Sequence, residues 1–216
     1  MQKKLLSTFL VIGFCARIPM ARGSDEVSQR PGFIHWTKGR ELIKNQKYPE
    51  VYSEMSLVIE AYSKEKIKDM VYVQAIREAI GQVASGCQNK AAPLINCDEI
   101  LGKGLEIYEK YWLSDGAEEL YVHQAQKNVA DYYFALNKYP KALELYNKVY
   151  VYAAKFECVD EHLHILSKIL TVNLKMSDQV SFDKNWKWVE FCEKSGKMKG
   201  AHFIKDNQKN EVYVRQ

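Results

Sequence analysis

The chain has 216 residues, of which 47% are hydrophobic and 27% are charged, with only 11 Gly and 5 Pro. This length is sufficient for one hydrophobic core or one elongated stack without support from metals or disulfides. The formal net charge of +4 comes from the first 23 residues, because the rest of the chain has 27 basic and 27 acidic residues. Without that segment the chain lacks the positive excess expected of a nucleic-acid-binding protein.

Residues 1–23 have the pattern of a signal peptide. A basic start precedes an apolar run at residues 5–16, which is too short for a membrane span but has the length of a secretory hydrophobic region. Ala21-Arg22-Gly23 places small residues at the two positions that signal peptidase recognises, so we expect cleavage before Ser24 and export, to the periplasm in a bacterium. The alternatives are an uncleaved N-terminal helix and a lipidated Cys15, although a bulky residue precedes that cysteine. No other stretch has transmembrane length.

A polar leader at residues 24–32 is followed by a long region with helical periodicity and short polar breaks. This periodicity predicts eight helices, at roughly residues 34–46, 49–63, 66–85, 97–113, 117–136, 139–155, 159–175 and 182–194. Helices joined by such short turns are typical of stacked helical hairpins. The polar C-terminal tail, residues 195–216, is expected to be frayed, with strand-like alternation only in its last six residues.

Two segments of the chain repeat one pattern. Residues 46–62 have the sequence QKYPEVYSEMSLVIEAY, and residues 137–153 have NKYPKALELYNKVYVYA. With the helix that precedes it, the second segment carries small and aromatic residues at fixed spacings: Ala130, Tyr133, Tyr139, Ala142, Tyr146 and Val149. This pattern resembles the tetratricopeptide repeat (TPR), a helix-turn-helix unit of 34 residues. In that family the small residues lie where two antiparallel helices cross closely, and the aromatic residues fill the space beside them.

One unit of this kind cannot bury its apolar face alone, so neighbouring units are required. The segment KGLEIYEKYW resembles a further second helix, with Gly104, Tyr108 and Tyr111 at the packing positions. The resemblance covers residues 33–194 and implies an all-α, right-handed solenoid of about four antiparallel hairpins. The alternative is a generic helical bundle that contains two similar phrases by chance.

The resemblance also implies a concave groove lined by the first helix of each hairpin. On the best-matching unit the inward positions are Gln124, Lys127, Asp131 and Phe134. Some TPR domains hold a peptide's terminal carboxylate with a Lys and an Asn at such positions. Here Lys127 is suitable, but Asp131 stands where an Asn is needed, which argues against carboxylate capture. The alternative is that the four residues are only solvated surface.

Catalytic and metal-binding motifs are not evident in the sequence. It contains no Gly-rich phosphate loop, no G-x-S-x-G and no H-E-x-x-H. Residues 157–164, ECVDEHLH, contain several side chains that can bind a metal. However, His162 and His164 are two apart and so point to different faces of a helix. Acidic residues at a helix N-terminus are ordinary compensation of the helix dipole. We therefore expect no enzyme activity, no metal and no cofactor.

Four cysteines follow the predicted signal peptide. Cys87 and Cys97 flank the one long insertion between predicted helices, and in an oxidising compartment we expect them to form a disulfide. Cys158 and Cys192 are 34 residues apart, which is one repeat period. Equivalent positions in successive units lie about 10 Å apart, beyond disulfide reach, so we expect these two to be buried thiols.

Together these patterns predict an exported, non-catalytic scaffold that binds a protein or peptide partner through its groove. The alternative is the extracytoplasmic sensory part of a signalling receptor system. Such a receptor has a transmembrane helix after its repeats, and no apolar run of that length follows Cys192. The sequence identifies neither the partner nor the oligomeric state.

Overall fold

The computed structural model describes residues 27–65, 70–91, 96–112, 119–154, 158–198 and 200–215. In this part of the chain the fold is all-α, as expected, with one short β-hairpin at its C-terminal end. The elements are α1 (Pro31–Lys44), α2 (Tyr48–Tyr62), α3 (Met70–Gln88), α4 (Cys97–Trp112), α5 (Glu119–Ala135), α6 (Tyr139–Ala153), α7 (Asp160–Lys175), α8 (Gln179–Lys194), β1 (His202–Asp206) and β2 (Glu211–Arg215). The predicted signal peptide, residues 1–23, lies outside the described residues.

Three of the helix–helix turns have the same geometry. Each contains one residue with a left-handed backbone, and these residues are Gln46 (φ 57°), Asn137 (φ 58°) and Ser177 (φ 56°). In the α5–α6 turn, Asn137 N donates to Phe134 O (3.0 Å), and Lys138 N donates to Tyr133 O (2.9 Å). This is the Schellman arrangement, which satisfies carbonyls that the end of a helix leaves without partners. The α1–α2 and α7–α8 turns repeat both hydrogen bonds at equivalent residues.

The helices that follow these turns begin in two ways. Helices α2 and α6 have Pro49 and Pro140 in their first turn, where a missing N–H removes no helical hydrogen bond. Helix α8 is capped by Asp178, whose side chain accepts a hydrogen bond from Ser181 N (3.0 Å). The short turns therefore fix three antiparallel helix pairs.

Side chains also contact one another between alternate helices of the chain. Contacts between successive odd helices are Trp36 Nε1 to Glu78 Oε2 (2.9 Å), Gly81 against Asn128, and Lys168 Nζ over the Phe134 ring (5.0 Å). Contacts between even helices are Lys103 Nζ to Glu60 Oε1 (2.9 Å) and the rings of Tyr150 and Trp188, whose centroids are 6.5 Å apart. Side chains of one helix pair therefore contact side chains of the next pair.

Small residues lie where side chains of neighbouring helices leave no room for a Cβ. A Cβ on Gly39 would lie 2.7 Å from Met55 Cε, and a Cβ on Gly104 would lie 2.9 Å from Ile80 Cγ1. Ala142 is fully buried in the same core cluster, which extends from α1 to α7. A larger side chain at any of these positions would have to displace its neighbours.

The C-terminal tail is ordered by packing against the last helix pair, so the prediction of a frayed tail was wrong. Strands β1 and β2 pair antiparallel, with Lys205 opposite Val212. The Val212 side chain is buried with apolar residues of α7 and α8: Leu166, Leu170, Phe182 and Val189. Thr171 Oγ1 donates to Val212 O (3.1 Å) and accepts from Val212 N (2.8 Å). The hairpin therefore covers the apolar surface that the last helix pair would otherwise expose.

Both pairs of cysteines are disulfide-bonded in the structure. Cys87 and Cys97 are joined with a Cα–Cα distance of 6.0 Å, across the insertion where the sequence analysis placed a disulfide. Cys158 and Cys192 are also joined, with Cα atoms 5.5 Å apart, so the prediction of two buried thiols was wrong. The two positions are not equivalent: Cys158 precedes α7 with φ 61°, whereas Cys192 lies within α8. The bond therefore spans a single helix pair.

Candidate binding face on α5 and α7

The four predicted groove residues share one side of α5. Gln124, Lys127, Asp131 and Phe134 are spaced three or four residues apart, which places them on one helical face. Helix α7 lies beside this side, with Lys168 Nζ 5.0 Å from the centre of the Phe134 ring. We call the surface formed by Gln124, Lys127, Asp131 and Phe134 of α5 with His164 and Lys168 of α7 the α5–α7 face.

Asp131 joins the α5–α7 face to the hydrophobic core. Its Oδ2 atom pairs with Lys127 Nζ at 2.9 Å, and its Oδ1 atom accepts a hydrogen bond from the Tyr146 hydroxyl at 2.6 Å. Burial alone would raise the pKa of Asp131, but the charge of Lys127 and the hydrogen bond from Tyr146 outweigh burial and lower it. Burial and the nearby Asp131 carboxylate raise the pKa of Tyr146, which keeps its hydroxyl proton. Asp131 is therefore ionised and links α5 to α6.

Phe134 supplies the aromatic part of the face. Its side chain is half-buried and packs edge-on against Tyr139, with ring centroids 5.8 Å apart. Lys168 lies over the ring as in a cation–π contact. Gln124 lies ten residues, or nearly three turns, before Phe134 on α5 and is exposed. An apolar group flanked by long polar side chains is suited to contact with another polypeptide.

The electrostatics of the face are positive. The pKa of His164 is lowered, because its ring is partly desolvated and because Lys127 and Lys168 lie near it, with Asp131 acting in the opposite direction. His164 is therefore neutral at pH 7, since its pKa falls below the ordinary value of about 6.5. Two lysines and one aspartate then leave one net positive charge on the face.

The repeat pattern in the sequence predicts the α5 residues of this face but not those of α7. In the sequence His164 is a candidate metal ligand only, and the repeat pattern does not include Lys168. The two are four residues apart on α7, which places them on one side of that helix. The four-residue spacing of His164 and Lys168 could have indicated a shared face of α7. Their proximity to Phe134 could not be predicted in this way, because it depends on packing between helix pairs.

His162 and His164 lie on different faces of α7, and this prediction is confirmed. His162 is fully buried, and its ring lies 5.1 Å from that of Tyr150. The acidic residues beside them, Asp160 and Glu161, are exposed at the start of the helix. The two histidines of this segment therefore cannot bind one ion from the same face of α7.

No membrane-spanning helix is found among the described residues, because none is both long enough and apolar enough. Comparisons with protein-family models, curated proteins and solved structures gave no match to this chain. The resemblance to TPR units therefore depends on the residue pattern.

Proposed function

We propose that this chain is a TPR-like scaffold that binds a protein or peptide partner through the α5–α7 face and catalyses no reaction. The observation that carries the proposal is the arrangement of Phe134, Lys168 and Lys127 on one partly exposed surface. Aromatic side chains are enriched at protein interfaces, and a charged side chain beside one can complement the charge of a partner.

The repeat architecture supports the proposal. Turns of equal geometry close three helix pairs, and small residues lie where side chains of neighbouring helices leave no room for a Cβ. We propose that four hairpins form a right-handed TPR-like solenoid in which the odd-numbered helices line the binding side. A stack of this kind holds side chains of successive first helices in a fixed order, which suits an extended polypeptide segment.

The charge of the face favours one kind of segment. Because Asp131 is already engaged by Lys127 and Tyr146, the positive excess comes mainly from Lys168. A partner segment with an apolar side chain next to an acidic residue would pack on Phe134 and approach Lys168. Electrostatic attraction of this kind weakens as salt is added, so the binding should be salt-dependent.

Export of the protein is part of the proposal. The N-terminal pattern supports it, and so do the two disulfides, because such bonds persist mainly in oxidising compartments. N-terminal sequencing of the native protein should give Ser24 as the first residue. Recovery of Met1 from the native, purified protein would contradict cleavage.

Binding at the face is tested by comparing four variants in affinity capture. Phe134→Ala and Lys168→Glu change the α5–α7 face, whereas Phe191→Ala and Lys184→Glu make the same chemical changes at exposed positions of α8. The tagged proteins are incubated with cell-envelope extract, and captured proteins are quantified by mass spectrometry. We expect the first two variants to reduce capture of a specific partner about tenfold, which corresponds to roughly 1.4 kcal/mol.

The α8 variants should retain the partner at wild-type levels. A partner that is lost equally in both pairs of variants, or only with the α8 pair, would contradict binding at the α5–α7 face. Circular dichroism of all four proteins separates a loss of binding from a loss of fold.

A further inference from the structure

Three potential metal ligands meet where the last helix pair joins the rest of the chain. The ligand atoms of Cys158, His162 and Cys192 lie within 4.8 Å of one another, and all three residues are buried. Among the residues that the structure describes, no other three His, Cys, Asp or Glu side chains are grouped this closely. The sulfur atoms of the two cysteines are joined in the disulfide described above.

We propose that reduction of the Cys158–Cys192 bond converts this group into a binding site for one zinc-like divalent cation. Two thiolates and one imidazole are the ligand types that Zn²⁺ selects. The disulfide and the metal site use the same sulfur atoms, so the protein can hold one or the other but not both. This proposal does not depend on binding at the α5–α7 face.

The imidazole is oriented for this role. The Cys158 N–H donates to His162 Nδ1 at 2.9 Å, so the neutral ring carries its proton on Nε2. The lone pair at Nδ1 therefore faces the residue that supplies the first sulfur. On metal binding, the cation would replace the Cys158 N–H at Nδ1, and no proton would have to leave the ring.

The charge and proton balance suit a buried site. Reduction by an external dithiol adds two electrons and two protons to the disulfide, while the dithiol becomes a disulfide itself. Each thiol then releases its proton when its sulfur binds the cation, so two thiolates neutralise the 2+ charge. A neutral site avoids the cost of an unpaired charge among buried apolar residues, which here include Leu163 and Met198.

The position of the site gives it a structural consequence. Cys158 lies before α7, and Cys192 lies two residues before the end of α8. A cation bound there would tie the same two segments that the disulfide ties. Three protein ligands leave a fourth position for water or another donor, and Ser195 Oγ lies 4.0 Å from Cys158 Sγ. The C-terminal hairpin would therefore be supported in both redox states.

The experiment uses the chain with Cys87→Ser and Cys97→Ser, so that the other thiols do not contribute. The protein is reduced with a phosphine, and the phosphine is removed under anaerobic conditions. The reduced protein is then titrated with Co²⁺ as a spectroscopic probe. We expect one Co²⁺ per chain, with sulfur-to-cobalt charge-transfer absorption and the intense visible bands of tetrahedral coordination. Zn²⁺ should displace the cobalt and raise the Tm of the reduced protein, but not that of the oxidised protein.

His162→Ala should weaken cobalt binding at least about tenfold, whereas the matched variant His202→Ala, at an exposed position of β1, should bind as the parent does. Equal binding by His162→Ala, or no stoichiometric binding by the reduced protein, would overturn the proposal. If the reduced protein unfolds, addition of Zn²⁺ should restore its helical circular dichroism. A reduced protein that stays unfolded with Zn²⁺ would also overturn it.

Discussion

The α5–α6 pair and the α7–α8 pair have the same turn but different surroundings. Asn137 and Ser177 occupy equivalent left-handed positions, and the hydrogen bonds around them are equivalent. The α5–α6 pair contacts helices on both sides, namely α3 and α4 before it and α7 after it. Among the described residues, the α7–α8 pair has helices on one side only, and its other side is covered by the β-hairpin.

This difference shows how the chain ends a helical stack. A helix pair in the middle buries both of its apolar sides by side-chain packing, because a neighbouring pair is present on each side. The last pair has no following helix pair in the described structure, and a strand takes that place, held by the two hydrogen bonds between Thr171 and Val212. The Cys158–Cys192 bond adds a covalent tie at the same end. The α5–α6 pair should therefore be stabilised mainly by side-chain packing. The α7–α8 pair should depend also on its hydrogen bonds to the β-hairpin and on its disulfide.

Loss of the Cys158–Cys192 bond should have the largest effect. Cys158→Ser with Cys192→Ser opens a loop of 34 residues, and loop entropy then predicts a loss of roughly 3–4 kcal/mol. Urea unfolding under oxidising conditions measures this loss. Hydrogen exchange should also become faster in β1 and β2, since the hairpin packs against the tied segment.

The matched control is Cys87→Ser with Cys97→Ser, which opens a loop with a sequence separation of 10. That change should cost about 2–3 kcal/mol and leave exchange in the hairpin unchanged. If the two double variants were equally stable and exchanged alike in the hairpin, the last helix pair would not depend on its own disulfide.

Ala142→Leu tests packing in the middle of the stack. Ala142 is fully buried, so a larger side chain should force α5 and α6 apart and cost roughly 1–3 kcal/mol. Ala135→Leu is the control, because Ala135 is exposed and should accept the change at a cost below about 0.5 kcal/mol. Thermal unfolding compares the two. Equal melting temperatures for Ala142→Leu and the parent would mean that the helices do not cross closely at this residue.

Thr171→Val tests the hydrogen bonds that hold the hairpin. The substitution keeps the shape of the side chain but leaves Val212 N and O without the Thr171 hydroxyl, which should cost about 1–2 kcal/mol. Exchange at the Val212 amide should accelerate before exchange in α5 does. Thr37→Val serves as the control, because Thr37 is exposed and bonds only carbonyls of its own helix. An unchanged Val212 amide would show that packing alone holds the strand.

Asp131→Asn should have the smallest effect, and the effect should depend on pH. The folded-state pKa of Asp131 is lowered, so the ionised side chain contributes stability above its ordinary pKa of about 3.9. At pH 7 the variant should be less stable than the parent by about 0.5–1 kcal/mol. This difference should disappear as the pH falls below 3.9 and through the lower folded-state pKa. If the difference in the free energy of unfolding grew toward acid pH, the ionised form of Asp131 would not be the stabilising one.

The helices and the middle of the stack could be predicted from the sequence because their signals are local. Hydrophobic periodicity located eight helices, and the Lys-Tyr-Pro phrases located two of the turns. The two cysteines that flank the insertion, Cys87 and Cys97, also predicted the disulfide that closes it. Each of these inferences needed only residues close together in the chain.

The C-terminal end could not be predicted because its determinants are distant in sequence. Val212 is buried only when its strand packs on α7, where it bonds Thr171, a residue 41 positions earlier in the chain. The Cys158–Cys192 spacing equals one repeat period, which suggested equivalent positions, but Cys158 lies in a left-handed connection outside the helix. For the same reason the sequence located the α5 side of the binding face and missed Lys168, which packing brings to Phe134.

The most direct test of the account is to locate the partner by photo-crosslinking. A photo-reactive amino acid is placed at Gln124 on the α5–α7 face and, in a second protein, at Asn147, which is exposed on α6 outside that face. We expect a crosslinked partner from position 124 only, competed by excess untagged protein and lost when Lys168→Glu is added. Crosslinks of equal yield from position 147, or crosslinks from position 124 that survive Lys168→Glu, would contradict binding at the α5–α7 face.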